Sequence, residues 1–242
     1  MERLARNRAG VWERIDGALR ACGRPPGSVR LVCVTKSVTP DVAAALFETG
    51  ERDFGENRID ELERKQAHFD AQGLEVRWHW LGHIQSRKAR RVLRAADVIH
   101  SLDSEGLFDQ LERLGAEEDR HPGLFLQVKL TAEESKTGLT PEAVAGLAAR
   151  VAASDFPLLG LMAMAPTPPT EAERDATAHR AFSSLAQIAG ELPGDFFENG
   201  KPQLSMGMSA DIDAAIRAGS DLVRIGTALF EGLAPRAERS TG

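Results

Sequence analysis

Tyrosine is absent from this 242-residue sequence, and cysteine occurs only as Cys22 and Cys33. The two cysteines fall at the end of an expected helix and inside an expected strand, a spacing that matches no metal site. Long apolar runs are also missing: no stretch approaches the roughly 20 residues of a membrane span. Glu2-Arg3-Leu4-Ala5-Arg6, which follows Met1, lacks the apolar core of a signal peptide. The expectation is a reduced, cytoplasmic protein. Excess positive charge is lacking too. A formal net charge of −6 argues against a general binder of nucleic acid or acidic membrane. Arg87-Lys88-Ala89-Arg90-Arg91 is a local exception that reads as a solvated helix face, the alternative being a phosphate-contacting or partner-docking patch.

What is present suits a soluble globular chain: 42% hydrophobic residues build a substantial core and 27% charged residues cover it. In the first segment Leu4, Val11, Ile15 and Leu19 share one face, which predicts an amphipathic helix over 3–22. Gly23-Arg24-Pro25-Pro26-Gly27 ends it. Short apolar runs then alternate with helical patterns to the end of the chain. Strands are predicted at 31–36, 53–55, 78–82, 98–100, 124–128, 158–162, 204–205 and 222–225. The longest helix after the first is predicted over 171–189. Eight strand–helix units without a composition break predict an α/β fold, a single (β/α)8 barrel with an extra N-terminal helix, as one domain over 1–242 with a short tail at 231–242. A doubly wound open sheet is the alternative, but no G-x-G-x-x-G follows the first strand.

Chemistry concentrates at a few strand ends. Lys36 closes the run Leu31-Val32-Cys33-Val34-Thr35, and a lysine there can lose its proton by desolvation and attack an aldehyde. Alternation that turns Lys36 inward also turns Val34 and Val32 inward, and leaves Cys33 and Thr35 facing the helices. An inward Arg224 is likewise accompanied by Leu222, with Val223 and Ile225 outward. The first and eighth strands adjoin in a closed barrel, so Lys36 and Arg224 are expected at one mouth. The bland reading is a lysine that snorkels to solvent. Gly226 and Thr227 after the last strand, with Gly207, Met208 and Ser209 after the seventh, form a candidate phosphate cup in which Ser209 is expected to cap the following helix. An aldehyde and a phosphate on one small molecule point to pyridoxal 5′-phosphate (PLP).

Val34-Thr35-Lys36, Phe54-Gly55-Glu56-Asn57, Trp78 through Gln85, Ser135-Lys136-Thr137-Gly138, Gly160-Leu161-Met162, Ser205 through Ser209 and Val223 through Thr227 resemble the pyridoxal-phosphate homeostasis proteins. These PLP-binding proteins are single-domain relatives of the alanine racemase barrel, the fold-type III group of PLP proteins. The resemblance runs in order from the first helix to Phe230. It implies that Lys36 holds PLP as an aldimine, that Ser209, Gly226 and Thr227 hold the phosphate, that Arg224 faces the pyridine nitrogen, and that Asn57 and Met208 line the site. Arginine only donates and stays charged, so it favours an unprotonated pyridine and weakens the ring as an electron sink.

Racemisation needs a second acid–base group across the substrate. The resemblance implies a tyrosine from a separate carboxyl-terminal domain, whereas this sequence has no tyrosine and ends shortly after Phe230. His79, His83 and Lys136 are candidate substitutes, with packed or hydrogen-bonded histidines and a solvated lysine as the plainer readings. Glu56 reads as local structure or a cation's partner, and Met162 and Met164 as core and pocket lining. The expectation is therefore a PLP carrier in intracellular PLP homeostasis with no catalytic residue, no metal and no nucleic-acid or membrane partner. It would be a monomer that exchanges PLP with apo PLP-dependent enzymes. A racemase-like PLP enzyme is the first alternative, and a Schiff-base aldolase acting on a sugar phosphate the second.

Overall fold

The computed structural model describes residues 1–131 and 137–233. Eight parallel strands pair in chain order and close on themselves. They are β1 (Arg30–Val34), β2 (Asp53–Glu56), β3 (Arg77–Trp80), β4 (Val98–Leu102), β5 (Gly123–Gln127), β6 (Leu158–Met162), β7 (Gln203–Ser205) and β8 (Leu222–Ile225). A closed parallel barrel leaves no unpaired edge. The open-sheet alternative is thereby excluded.

The helices lie outside. Helix α1 (Glu2–Ala21) buries Leu4, Val11, Ile15 and Leu19, the four residues whose spacing marks its apolar face. Between the strands run α2 (Pro40–Phe47), α3 (Ile59–Asp70), α4 (Ala89–Ala95), α5 (Glu105–Glu118), α6 (Pro141–Ala152), α7 (Arg174–Gly190) and α8 (Ile212–Arg217), and α9 (Thr227–Phe230) follows β8. Pro40 and Pro141 each open a helix, where the missing N–H costs nothing. The helix expected over 171–189 begins as a 3-10 turn, Glu171–Glu173, before α7.

Strand alternation divides the core in two. Val32, Val98, Phe125, Met162 and Leu222 pack together inside the barrel. Cys33, Val223 and Ile225 belong to the larger layer between strands and helices. Burial pushes the Cys33 thiol well up, which keeps it protonated and unreactive. Both cysteines are free, and no cluster of metal-ligating side chains occurs among the described residues. No helix among the described residues is long and apolar enough to cross a membrane.

The basic run of α4 is matched by neighbouring helices. Arg90 pairs with Glu117 and Glu118 of α5, and Arg91 with Asp60 and Glu63 of α3. Those carboxylates neutralise Arg90 and Arg91, in agreement with a solvated helix face.

Candidate functional site

Register places the sequence-derived residues at one end of the barrel. Val32 of β1 lies beside Arg224 of β8, and Cys33 beside Ile225. Val34 pairs with Gly55 of β2, and the Thr35 amide donates to the Gly55 carbonyl. Lys36, Asn57 and the segment from Gly226 to Thr227 therefore leave neighbouring strands at the same carboxyl-terminal mouth, where barrel sites are built. Contact here is close: a Cβ on Gly226 would stand 2.9 Å from the Val34 carbonyl oxygen. Only glycine lets the loop after β8 lie against β1 in this way.

Lys36 departs from expectation in one respect. β1 ends at Val34, and Lys36 sits in the turn beyond it with its side chain exposed. Thr35 faces outward and is fully buried, as alternation requires. The protein alone therefore does not desolvate the Lys36 amine, because the turn carries it past the packed part of the strand.

Beneath this turn is a rigid support. Lys65 of α3 and Glu56 of β2 form a fully buried ion pair. Lys65 Nζ also donates to the Thr35 carbonyl at 2.7 Å, and Thr35 Oγ1 donates to Glu56 Oε1 at 3.2 Å. Glu56 Oε2 accepts from the Asn57 amide at 3.1 Å. One carboxylate thus ties the backbone carrying Lys36 to the backbone carrying Asn57. The expectation that Glu56 pairs with a cation is met, with α3 as the source of that cation.

Arg224 lies deeper, 6% exposed. Its Nη1 donates to Ser205 Oγ at 2.7 Å and its Nη2 to the Ala163 carbonyl at 3.1 Å. Both acceptors are neutral. Burial pulls the guanidinium down to about 10, opposed by the carboxylate of Asp211. It remains a cation at neutral pH, fixed in its plane by two elements.

Ser209 differs from expectation. The residue before α8 is Asp211, whose Oδ1 accepts from the Met208 amide at 2.6 Å. Ser209 Oγ instead accepts from the Ala228 amide at 3.4 Å. The hydroxyl thus spans from the loop after β7 to the start of α9, joining the two halves of the expected cup. Its carbonyl is held by Arg14 of α1 at 2.6 Å. Thr227 is exposed at the first position of α9.

Met164 and Met208, 40% and 42% exposed, follow β6 and β7 and present flexible apolar surface beside these groups. His83 is exposed and pairs with Asp103 at 3.0 Å. His79 is fully buried inside the barrel, so it is a hydrogen-bonded core histidine and not an exposed acid or base at the mouth. Lys136 lies outside the described residues.

Asp53, His100, Ser205 and the Ala163 carbonyl belong to one polar interior that no local motif assembles. Alternation held the signal: Val98 points inward, so His100 two residues on does as well. What was missing was the cross-barrel pairing, which only closure supplies.

An exposed amine, a buried cation and loops bearing glycines and hydroxyls thus gather at one barrel mouth, and an amine is the group that can form a covalent bond with a carbonyl compound. The family model for the alanine racemase N-terminal domain matches residues 18–234. A pyridoxal phosphate homeostasis protein of Pseudomonas aeruginosa is 38% identical over 235 residues, 95% of this chain and 96% of its own. Another from Escherichia coli is 34% identical over 234 residues, 95% and 97% of the two chains. PipY of Synechococcus elongatus, solved with PLP bound, superposes with a TM-score of 0.76 at 33% identity, over 94% of this chain and 99% of PipY. The chain belongs to the alanine racemase N-terminal domain family, and within it to the pyridoxal phosphate homeostasis proteins.

Proposed function

We propose that this protein binds PLP reversibly and buffers its supply inside the cell, without substantial turnover of a substrate. The observation that carries the reading is a buried Arg224 whose partners are neutral oxygens, at the same barrel mouth as the exposed Lys36 amine. A buried cation with uncharged partners is costly, and an electron-rich ring nitrogen above it would complete its environment. The residues fit PLP on their own chemistry. Ser209, Gly226 and Thr227 would hold the phosphate with hydroxyls and amides, Asn57 and Met208 would flank the ring, and Arg224 would donate to the pyridine nitrogen. Lys36 would supply the amine of covalent attachment, a bond exchangeable with free amines. When bound, PLP supplies an electrophilic aldehyde and an electron-accepting ring. Arg224, which only donates, would favour an unprotonated ring nitrogen and so restrain carbanion chemistry, which favours carriage over catalysis.

The protein is a single domain and a cytoplasmic monomer on this reading. Met1, Met164 and Met208 are the exposed large apolar residues among those described, and two of them border the site. Apo PLP-dependent enzymes are the recipients we assign. The sequence has no tyrosine to act across a substrate.

Two measurements test the proposal. Loaded protein mixed with an apo PLP-dependent enzyme is expected to restore that enzyme's activity as its own PLP absorption declines. Amino acids incubated with loaded protein in deuterium oxide are expected to keep their α-hydrogens. Steady α-exchange would make the racemase-like alternative correct.

A further inference from the structure

A file of polar side chains crosses the barrel interior beneath the proposed site. Asp53 Oδ1 stands 2.9 Å from His79 Nε2, and His79 Nδ1 stands 2.8 Å from His100 Nε2. His100 Nδ1 stands 2.9 Å from Ser205 Oγ, which is 2.7 Å from Arg224 Nη1. The file starts on β2, passes β3 and β4, and reaches β7 and β8. Phe125 stacks on His100 at 4.6 Å and 16° and holds the imidazole plane. His79 also lines a cavity of about 410 Å³ with Arg30, Arg77 and Gln203, at the amino-terminal ends of the strands. The file therefore links the two mouths of the barrel.

Hydrogen-bond rules leave one arrangement in which every hydrogen of the file has an acceptor. A carboxylate only accepts, so His79 carries its proton on Nε2. Burial holds both imidazoles below their ordinary range and hence neutral, the bond to Asp53 only partly offsetting this for His79. Neutral His79 then offers a lone pair at Nδ1, and His100 donates to it from Nε2. Ser205 O–H donates to His100 Nδ1, and Arg224 donates to Ser205. All the hydrogens point the same way, from the guanidinium toward Asp53. A protonated His79 would reverse its link to His100 and leave the Ser205 hydroxyl hydrogen without an acceptor in the file.

We propose that His100, backed by His79 and Asp53, is a positioning residue that fixes Arg224 through Ser205 as a one-way donor toward the site. The Ala163 carbonyl fixes the second terminal nitrogen. The remaining N–H groups are thereby oriented without freedom to rotate. Aligned hydrogen bonds polarise one another, so the Asp53 carboxylate offsets part of the buried charge from the far mouth. This role rests on the reading that Arg224 faces the ring nitrogen of bound PLP.

Nitrogen-15 NMR of the ligand-free native chain at neutral pH reads the tautomers directly. Both His79 and His100 are expected neutral with the proton on Nε2; a proton on Nδ1 of either overturns the proposal. PLP release is the second readout. His100→Phe keeps the stack on Phe125 and is expected to release PLP about tenfold faster, while His100→Gln, able to donate and accept, stays near wild type. Lys36 labelling is expected to persist in both. His100→Phe that matches wild type overturns this role alone. A wild-type protein that takes up no PLP overturns the binding reading and this role with it.

Discussion

Glu56 shows how much of the site is settled by a side chain that need not touch a ligand. It accepts hydrogens from Lys65, Thr35 and the Asn57 amide while fully buried. Removing one partner of a buried pair leaves the other desolvated, so Glu56→Ala is expected to cost about 3–5 kcal/mol in urea unfolding. Glu56→Leu combined with Lys65→Met is expected to recover much of that loss. An unchanged midpoint for Glu56→Ala would contradict this account of the support. Lys36→Ala, by contrast, removes an exposed side chain and is expected to change stability by less than about 0.5 kcal/mol. At this scale the sequence was legible where alternation ruled: inward Val32, Leu222 and Arg224, outward Cys33 and Val223. It was opaque where partners lie far apart in the chain. Nothing local to Glu56 announces Lys65, and nothing local to Arg224 announces Ser205.

Elements were legible in kind and order because each strand is a short apolar run beside turn residues. Their ends were less so. β3 is expected over 78–82 but ends at Trp80, because Leu81 and Gly82 already belong to the loop that packs on Asn57. β7 is three residues long and meets β8 at one register pair, Ser205 with Leu222. Closure there leans on loop backbone: the Arg224 amide donates to the Gly207 carbonyl at 2.9 Å. On the other side of β7, Gly160 of β6 has φ 158° and pairs with Gln203. A Cβ at Gly160 would lie 1.9 Å from the Gln203 carbonyl oxygen, a backbone atom that cannot yield without breaking the pair. Gly160→Ala is therefore expected to destabilise the fold by about 3 kcal/mol or more. Calorimetry showing an unchanged melting temperature would refute that view of the β6–β7 contact.

Across the whole molecule, the polar interior sets the response to acid. His79 and His100 have folded pKa values below the ordinary 6.5, from burial first. A depressed value means that the unfolded chain binds protons first. Their contribution is complete above pH 6.5 and is lost as pH falls toward the folded values. Stability is expected to decline between about pH 6.5 and 5 by up to about 1.4 kcal/mol per pH unit for each histidine. Asp53 acts in a lower window. Burial alone would raise it, but the hydrogen bond from His79, with the charges of Arg30 and Arg77, holds it below 3.8. Its share is present above 3.8 and disappears only as pH falls through the folded value. A variant with both histidines changed to glutamine should therefore lose the slope above pH 5. Equal slopes in both proteins would contradict neutral interior histidines.

On the proposed function, one amine at the barrel mouth anchors PLP above a fixed guanidinium. Borohydride reduction of PLP-loaded protein followed by peptide mapping reads that attachment. One pyridoxyl adduct, on Lys36 and absent from Lys36→Ala, is the predicted result; an adduct confined to another lysine, or none at all, would contradict it.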